Sequence, residues 1–241
     1  MRSTRWWRLI PEIILIHGSW MGGWCWRAVA EALRQHGARC HTPSLSGLGE
    51  RDGPSQGAVD LDLHISEVVA TCRSAGVERP LLVGHSYGAL VAAGAGDALA
   101  TEISGLVVID GFIVEPGQSA FDAYPQVREL LSSCITREHP DYIQPLPVAA
   151  FGIRDARIES ELALKLRPMP LATHTTPLKY SRAAQQNLRR TYIRCMDFPV
   201  FADTAARAVR DGWHLTEVEA GHMALMTHPT LVADAILAAA T

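Results

Sequence analysis

One serine in this chain stands in a setting suited to nucleophilic chemistry. Leu81-Leu82-Val83-Gly84-His85-Ser86-Tyr87-Gly88 runs from an apolar β-type stretch through Gly-x-Ser-x-Gly into the small-residue, helix-compatible run Ala89 to Ala100. A serine hydroxyl is a weak nucleophile at neutral pH. It needs an adjacent base, a group that orients the base, and a sharp turn that exposes its Oγ. Gly84 and Gly88 suit that turn, because a Cβ at either position would meet the adjoining strand or helix. The motif alone is common by chance, and a glycine-flanked serine that only starts a helix is the plain alternative. The strand before it, the helix after it and the partners below favour a catalytic Ser86.

The chain has ten histidines from which a base could come. His222 follows a strand-like run and lies in Glu219-Ala220-Gly221-His222-Met223, a turn before the last helix. In doubly wound hydrolases with this chain order the base arrives late, after the acid. A solvent-exposed turn histidine is the alternative, and Ser86 upstream makes it the weaker one. His17 and His85 each end a strand beside a glycine and are expected to hold loops through ring hydrogen bonds. His36, His64, His139, His174, His214 and His228 are read as surface or packing residues.

Two aspartates compete to orient the base. Asp110 ends an apolar strand-like run, Ile103 to Ile109, where an unpaired charge would be costly, so a partner is expected. Asp197 follows the next strand, with Phe198-Pro199-Val200-Phe201 behind it. Asp203 is a weaker third, placed in a helix's first turn. Asp110 ranks ahead of Asp197, and the choice stays open here. A tetrahedral oxyanion needs two converging N–H groups. Tyr87, at the start of the helix after Ser86, and Ser19, in the loop His17-Gly18-Ser19, are the expected oxyanion-hole donors. Trp20, Phe112 and Phe121 lie in loops or the irregular middle region, and Met223 follows the base. These four are the expected substrate-binding residues, implying a largely apolar pocket. The Gly22-Gly23 pair is not followed by Lys-Ser/Thr and does not read as a phosphate loop.

The elements that would position these groups follow from periodicity. Apolar strands are expected at Ile13–Ile16, Leu81–His85, Ile103–Asp110, Thr191–Cys195 and Leu215–Val218, with a short one at Arg39–Thr42. Helices are expected at Trp24–His36, Leu61–Ala75, from Ser86 to about Leu99, Phe201–Arg210 and Thr230–Ala240. Strands alternating with helices define an α/β fold, a doubly wound, mostly parallel sheet covered on both faces. Prolines at 116, 125, 140, 145, 147, 168, 170 and 177 mark the middle as irregular. About 112–187 is therefore a small, mainly helical cap inserted after the strand ending at Asp110, within one domain spanning 11–241. Residues 1–10 are a basic leader: the apolar run behind them is broken by Pro11 and Glu12 and has no small-residue cleavage site.

Composition narrows the function classes. The 241 residues are 48% hydrophobic and 20% charged, enough for one large core and a cap insertion. A formal net charge of −3 without blocks of like charge gives no reason to expect nucleic acid. No apolar run is long enough for a bilayer span, so no membrane is expected. Five cysteines (Cys25, Cys40, Cys72, Cys134, Cys195) are scattered without Cys-x-x-Cys spacing. They point to buried thiols in a reducing, cytoplasmic setting rather than to disulfides or a zinc site. The expected partner is a small-molecule substrate, with a homodimer left open.

Taken together, Ile16-His17-Gly18-Ser19-Trp20-Met21-Gly22-Gly23-Trp24-Cys25-Trp26, Thr42-Pro43-Ser44-Leu45-Ser46-Gly47-Leu48-Gly49, Val83-Gly84-His85-Ser86-Tyr87-Gly88 and Gly221-His222-Met223 resemble the α/β-hydrolase superfamily over residues 11–240. The chain looks most like the small esterase and hydroxynitrile lyase group that includes plant methyl esterases and bacterial hydrolases. The resemblance implies a serine esterase, carboxylesterase-like, that needs no cofactor and no metal. In the lyases a threonine follows the first-strand histidine and a lysine follows the catalytic one. Gly18 and Met223 stand there in this chain, as in the esterases, which disfavours cyanohydrin cleavage. The plant esterases have a Thr-x-Asp turn where this chain has Cys195-Met196-Asp197-Phe198-Pro199. In the related haloalkane dehalogenases the acid can end the preceding strand, which Asp110 matches; Ser86 in place of their aspartate argues against dehalogenation. The alternatives to ester, amide or lactone hydrolysis are a carbon–carbon lyase using the same triad and a non-catalytic binding protein of hydrolase descent.

Overall fold

Six parallel strands form the main sheet of the computed structural model, which describes residues 11–51, 58–74, 76–181 and 187–240. The expected leader, residues 1–10, lies outside them. In chain order the strands are β1 (Glu12–Ile16), β2 (Arg39–His41), β3 (Leu81–His85), β4 (Gly105–Ile109), β5 (Tyr142–Ile143), β6 (Met169–Pro170), β7 (Arg189–Cys195) and β8 (His214–Val218). The sheet order is β2-β1-β3-β4-β7-β8, while β5 and β6 pair antiparallel on their own. The helices are α1 (Arg27–Gln35), α2 (Leu61–Ser74), α3 (Gly88–Ala98), α4 (Ala120–Ala123), α5 (Pro125–Ser132), α6 (Ala156–Lys165), α7 (Ala172–Thr175), α8 (Ala202–Arg210), α9 (Ala224–Thr227) and α10 (Pro229–Ala240).

The central strands are apolar on both sides because both faces are covered. Ile14, Ile16, Leu82, Leu106 and Val108 pack with α2, α3 and α8 on one face. Ile13, Leu15, Val83, Val107 and Ile109 pack with α1 and α10 on the other. Each such side chain, once buried, contributes roughly 1.5–3 kcal/mol of transfer free energy. Strands that run parallel all carry their C-terminal ends to one edge, and loops after β1, β3, β4 and β8 meet there. That edge is where ligands bind in open α/β sheets.

The segment between β4 and β7 holds α4 to α7 and the β5–β6 ribbon. It bonds to the loop after β1: Trp20 Nε1–H donates to the Ile143 carbonyl at 3.0 Å, and the Arg167 N–H donates to the Trp20 carbonyl at 2.9 Å. Several element boundaries shift by one to three residues from the sequence expectation. The helix expected from Trp24 opens as a 3-10 turn, Gly23–Trp26, before α1. The β4 strand ends at Ile109, because Asp110 leaves the extended region with φ +42°.

Candidate active site

The turn after β3 is enforced by close backbone packing. A Cβ on Gly84 would lie 2.3 Å from the Gly88 carbonyl oxygen, and one on Gly88 would lie 2.5 Å from the Ile16 oxygen. Both neighbours are main chain and cannot yield, so only glycine fits. Between them Ser86 takes φ +53°, a left-handed conformation that is strained for a residue with a Cβ. Its N–H donates to the Ile109 carbonyl at 3.1 Å, and its own carbonyl accepts the Ala89 N–H at 3.1 Å. The turn is thus fixed to β4 on one side and to α3 on the other.

Asp110 is wholly buried at the next strand end. Its Oδ2 accepts a hydrogen bond from His222 Nδ1 at 2.6 Å, and its Oδ1 accepts the Cys195 N–H at 3.3 Å. A carboxylate can only accept, so Nδ1 carries the proton, and in the neutral tautomer with this bond Nε2 is the nitrogen that holds the lone pair. Tyr192 locks the turn behind Asp110: its hydroxyl donates to the Gly111 carbonyl at 2.9 Å and accepts the Gly111 N–H at 3.1 Å. Burial first, then the nearby Asp110 charge, push the Tyr192 hydroxyl and the Cys195 thiol well above their usual range, so both stay neutral. Asp197 and Asp203 are exposed. The geometry therefore distinguishes the competing acids: Asp110, not Asp197, holds the His222 ring.

The imidazole of His222 is held between other rings. His85 lies at 4.6 Å centroid distance and Phe198 at 4.5 Å, the latter nearly parallel at 29°. Phe201 stacks further out at 5.8 Å. His85 Nε2–H also donates to the His222 carbonyl at 2.9 Å, which fixes the turn that carries His222. Burial drives the His85 ring well below the ordinary histidine value, so it stays neutral beside His222. The ring contacts of Phe198 and Phe201 were not foreseen; the only signal was an apolar pair behind the turn at Asp197.

The loop after β1 lies against the serine. A Cβ on Gly18 would sit 3.0 Å from Ser86 Cβ, which places this loop directly beside Ser86. Neither the Ser19 N–H nor the Tyr87 N–H has a partner among the described residues. His17 holds the loop as expected: its Nδ1–H donates to the Gly18 carbonyl at 2.9 Å and its Nε2 accepts the Leu45 N–H at 3.1 Å. Burial lowers its pKa to about 4.

The four expected substrate-binding residues separate into groups. Phe112 and Phe121 converge on His174, at 6.3 and 5.7 Å between ring centroids. Trp20 turns toward the segment between β4 and β7 and meets Phe151 edge-on at 6.3 Å. Met223 packs in the apolar cluster on the opposite face of the sheet, with Met21 and Cys25. A cavity of about 440 Å³ borders Phe112 and Ala89, but neither Ser86 nor His222 lines it. His64 and His174, read from sequence as surface or packing residues, are fully buried and hydrogen-bonded. All five cysteines are free thiols, with Cys25, Cys72 and Cys195 buried. No group of metal-binding side chains, and no helix long and apolar enough to cross a membrane, occurs among the described residues.

A parallel six-stranded sheet with a strained serine turn, and a buried aspartate bonded to a partly exposed histidine at its C-terminal edge, is the architecture of the doubly wound hydrolases. The chain belongs to the alpha/beta hydrolase family, matching it over residues 13–235. It is 31% identical to a carbendazim hydrolyzing esterase of Nocardioides sp. (strain SG-4G) over 244 aligned residues, 95% of this chain and 99% of that one. It is 22% identical to the alpha-hydroxynitrile lyase of Arabidopsis thaliana, covering 95% and 97% of the two chains. Among solved structures, an extracellular alpha/beta-hydrolase from a Paenibacillus species superposes with a TM-score of 0.83 at 21% identity, covering 95% of this chain and 98% of that one.

Proposed function

We propose that this protein is a serine esterase that cleaves a carboxylic ester, or a related amide or lactone, of a small, largely apolar substrate through an acyl-enzyme. The observation that carries the proposal is the 2.6 Å bond from His222 Nδ1 to the buried Asp110 carboxylate, at the strand end next to Ser86. It leaves Nε2 as the basic nitrogen of the ring. His222 Nε2 takes the Ser86 Oγ proton as Oγ attacks the substrate carbonyl. Asp110 stabilises the imidazolium that forms. The carbonyl electrons move onto oxygen, and the Ser19 and Tyr87 amides receive the oxyanion. Collapse expels the alcohol, which takes its proton from His222. Water then attacks the acyl-serine, giving a proton to Nε2, and the second tetrahedral species releases the acid and regenerates Ser86.

Similarity to the carbendazim hydrolyzing esterase supports hydrolysis over lyase chemistry. So does the space beside Ser86. A Cβ at position 18 would press on Met21 Cε at 3.0 Å, Ser86 Cβ at 3.0 Å and His85 Nδ1 at 3.1 Å, so a lyase-type threonine there would have to push its neighbours aside.

The test is a panel of p-nitrophenyl esters, anilides, lactones, carbendazim and a pyrethroid, run on wild type and Ser86→Ala. The proposal expects turnover of at least one ester that falls about a thousand-fold or more in the variant. Cyanohydrin cleavage in the absence of any acyl hydrolysis would favour the lyase alternative instead.

A further inference from the structure

We propose that His174, supplied by the cap, is a positioning residue that sets the two oxyanion-binding amides through the side chains of Ser19 and Tyr87. The inference rests on the acyl-transfer reading above. One buried imidazole touches both residues: its Nε2 is 3.2 Å from Ser19 Oγ, and its ring stacks on Tyr87 at 5.1 Å and 22°.

The proton directions in this cluster follow from its ends. Thr173 Oγ1–H donates to the Pro170 carbonyl at 2.6 Å. Its lone pair therefore accepts from His174 Nδ1–H, at 2.9 Å. With Nδ1 protonated, Nε2 is an acceptor, and the Ser19 hydroxyl donates to it. On the far side of Tyr87, His64 Nε2–H donates to the Ser46 carbonyl at 3.0 Å, so His64 Nδ1 accepts the Tyr87 hydroxyl proton at 2.9 Å. Both residues with unpartnered amides are thereby held by neutral histidines from opposite sides, one from the cap and one from α2. Burial lowers the His174 pKa to about 3, so the lone pair that Ser19 needs persists across the working pH range.

Packing alone would not need this arrangement. A buried apolar ring at position 174 could stack on Tyr87 and meet Phe112 and Phe121 equally well, without an acceptor whose desolvation must be offset. The acceptor instead points at the serine of the loop beside Ser86. Trp20, the next residue, holds φ +65° and is itself bonded to the cap on both its side chain and its carbonyl. The loop is therefore held to the cap, and Ser19–His174 is the tie nearest the unpartnered amide.

Removing one oxyanion donor outright costs roughly 10²–10³ in kcat. Loosening a donor that is still present should cost about tenfold. The experiment measures p-nitrophenyl acetate turnover by wild type, Ser86→Ala, His174→Phe, His174→Gln, Ser19→Ala and the Ser19→Ala/His174→Phe double variant. Inhibition by a trifluoromethyl ketone, which binds as a charged tetrahedral adduct, is measured alongside. Ser19→Ala keeps the amide and is small enough to fold where His174→Phe does not.

The proposal expects kcat to fall about tenfold in Ser19→Ala and in His174→Phe, with KM within about twofold of wild type. Affinity for the trifluoromethyl ketone should fall in parallel. The double variant should be no worse than either single one, because both changes break the same tie. Gln at 174, whose amide oxygen can stand where Nε2 stands, should recover most of the loss. Ser86-dependent turnover with an unchanged kcat, a rise in KM alone, or multiplicative losses in the double variant would overturn the His174 role and leave the esterase reading standing. Turnover that survives Ser86→Ala would overturn both.

Discussion

Ser86 and Asp110 occupy equivalent places on adjacent strands: His85 pairs with Ile109 in register, and the next residue on each strand adopts a left-handed backbone, φ +53° and +42°. Such conformations cost of order 1–3 kcal/mol each for residues with a Cβ. They are held by strand-end hydrogen bonds, Ser86 N–H to the Ile109 carbonyl at 3.1 Å and Asp110 N–H to the Ile193 carbonyl at 2.8 Å. The same backbone bend that lifts a side chain clear of one strand is thus used twice, once for the Ser86 hydroxyl and once for the Asp110 carboxylate that holds His222.

The pair makes a sharp distinction between the two acidic candidates. Asp110→Asn keeps the shape but puts a neutral amide against His222 Nδ1, favouring the wrong tautomer and losing the charge that stabilises imidazolium. On the proposed mechanism it lowers kcat by up to ~10⁴. Asp197→Asn changes an exposed side chain and leaves kcat within a few-fold of wild type. Steady-state kinetics on both variants checks this; an equal loss in the two would remove Asp110 from its role.

Phe198 offers a subtler test. It stacks on His222 at 4.5 Å, and aromatic pairs of this kind are worth about 0.5–1.5 kcal/mol beyond the area they bury. Phe198→Ala frees one face of the imidazole and should lower kcat roughly 2- to 10-fold. A melting curve beside the kinetics separates a displaced base from a loosened fold. An unchanged kcat would show that His85 and Asp110 suffice to hold the ring.

Buried neutral histidines give the fold a predictable acid sensitivity. Burial holds His17 at about 4 and His174 at about 3, against an ordinary 6.5, and pushes His64 and His85 in the same direction. An imidazole depressed in the folded state takes its proton first in the unfolded chain. Stability is therefore complete above about 6.5 and falls as pH drops toward 4 and 3, each shifted group contributing up to about 1.4 kcal/mol per pH unit. Urea unfolding midpoints at pH 7.5, 6.5, 5.5 and 4.5 should decline steadily below 6.5. A midpoint that holds constant to pH 4.5 would contradict neutral burial of these rings.

Much of the fold was legible because a parallel sheet covered on both faces writes its strands as short apolar runs between amphipathic helices. β3, α3 and α10 fall within a residue or two of the sequence expectation. Asp110 could be ranked first from sequence because a carboxylate closing an apolar run needs a partner. What was not legible is contact between distant segments. His64 and His174 lie 110 positions apart with no local pattern to single them out, yet they flank Tyr87 in space. Nor does any local pattern show that Met223, next to His222 in sequence, packs in the cluster that holds Met21 and Cys25.

The proposed mechanism makes Ser86 the nucleophile, and covalent labelling reads that role out on the residue itself. A fluorophosphonate probe phosphonylates a serine only where a base removes its proton and an oxyanion hole receives the developing charge. Intact-protein mass should show one adduct per chain in wild type, with peptide mapping placing it on Ser86, and none in Ser86→Ala. Undiminished labelling of Ser86→Ala, or an adduct mapped to another serine, would contradict the account.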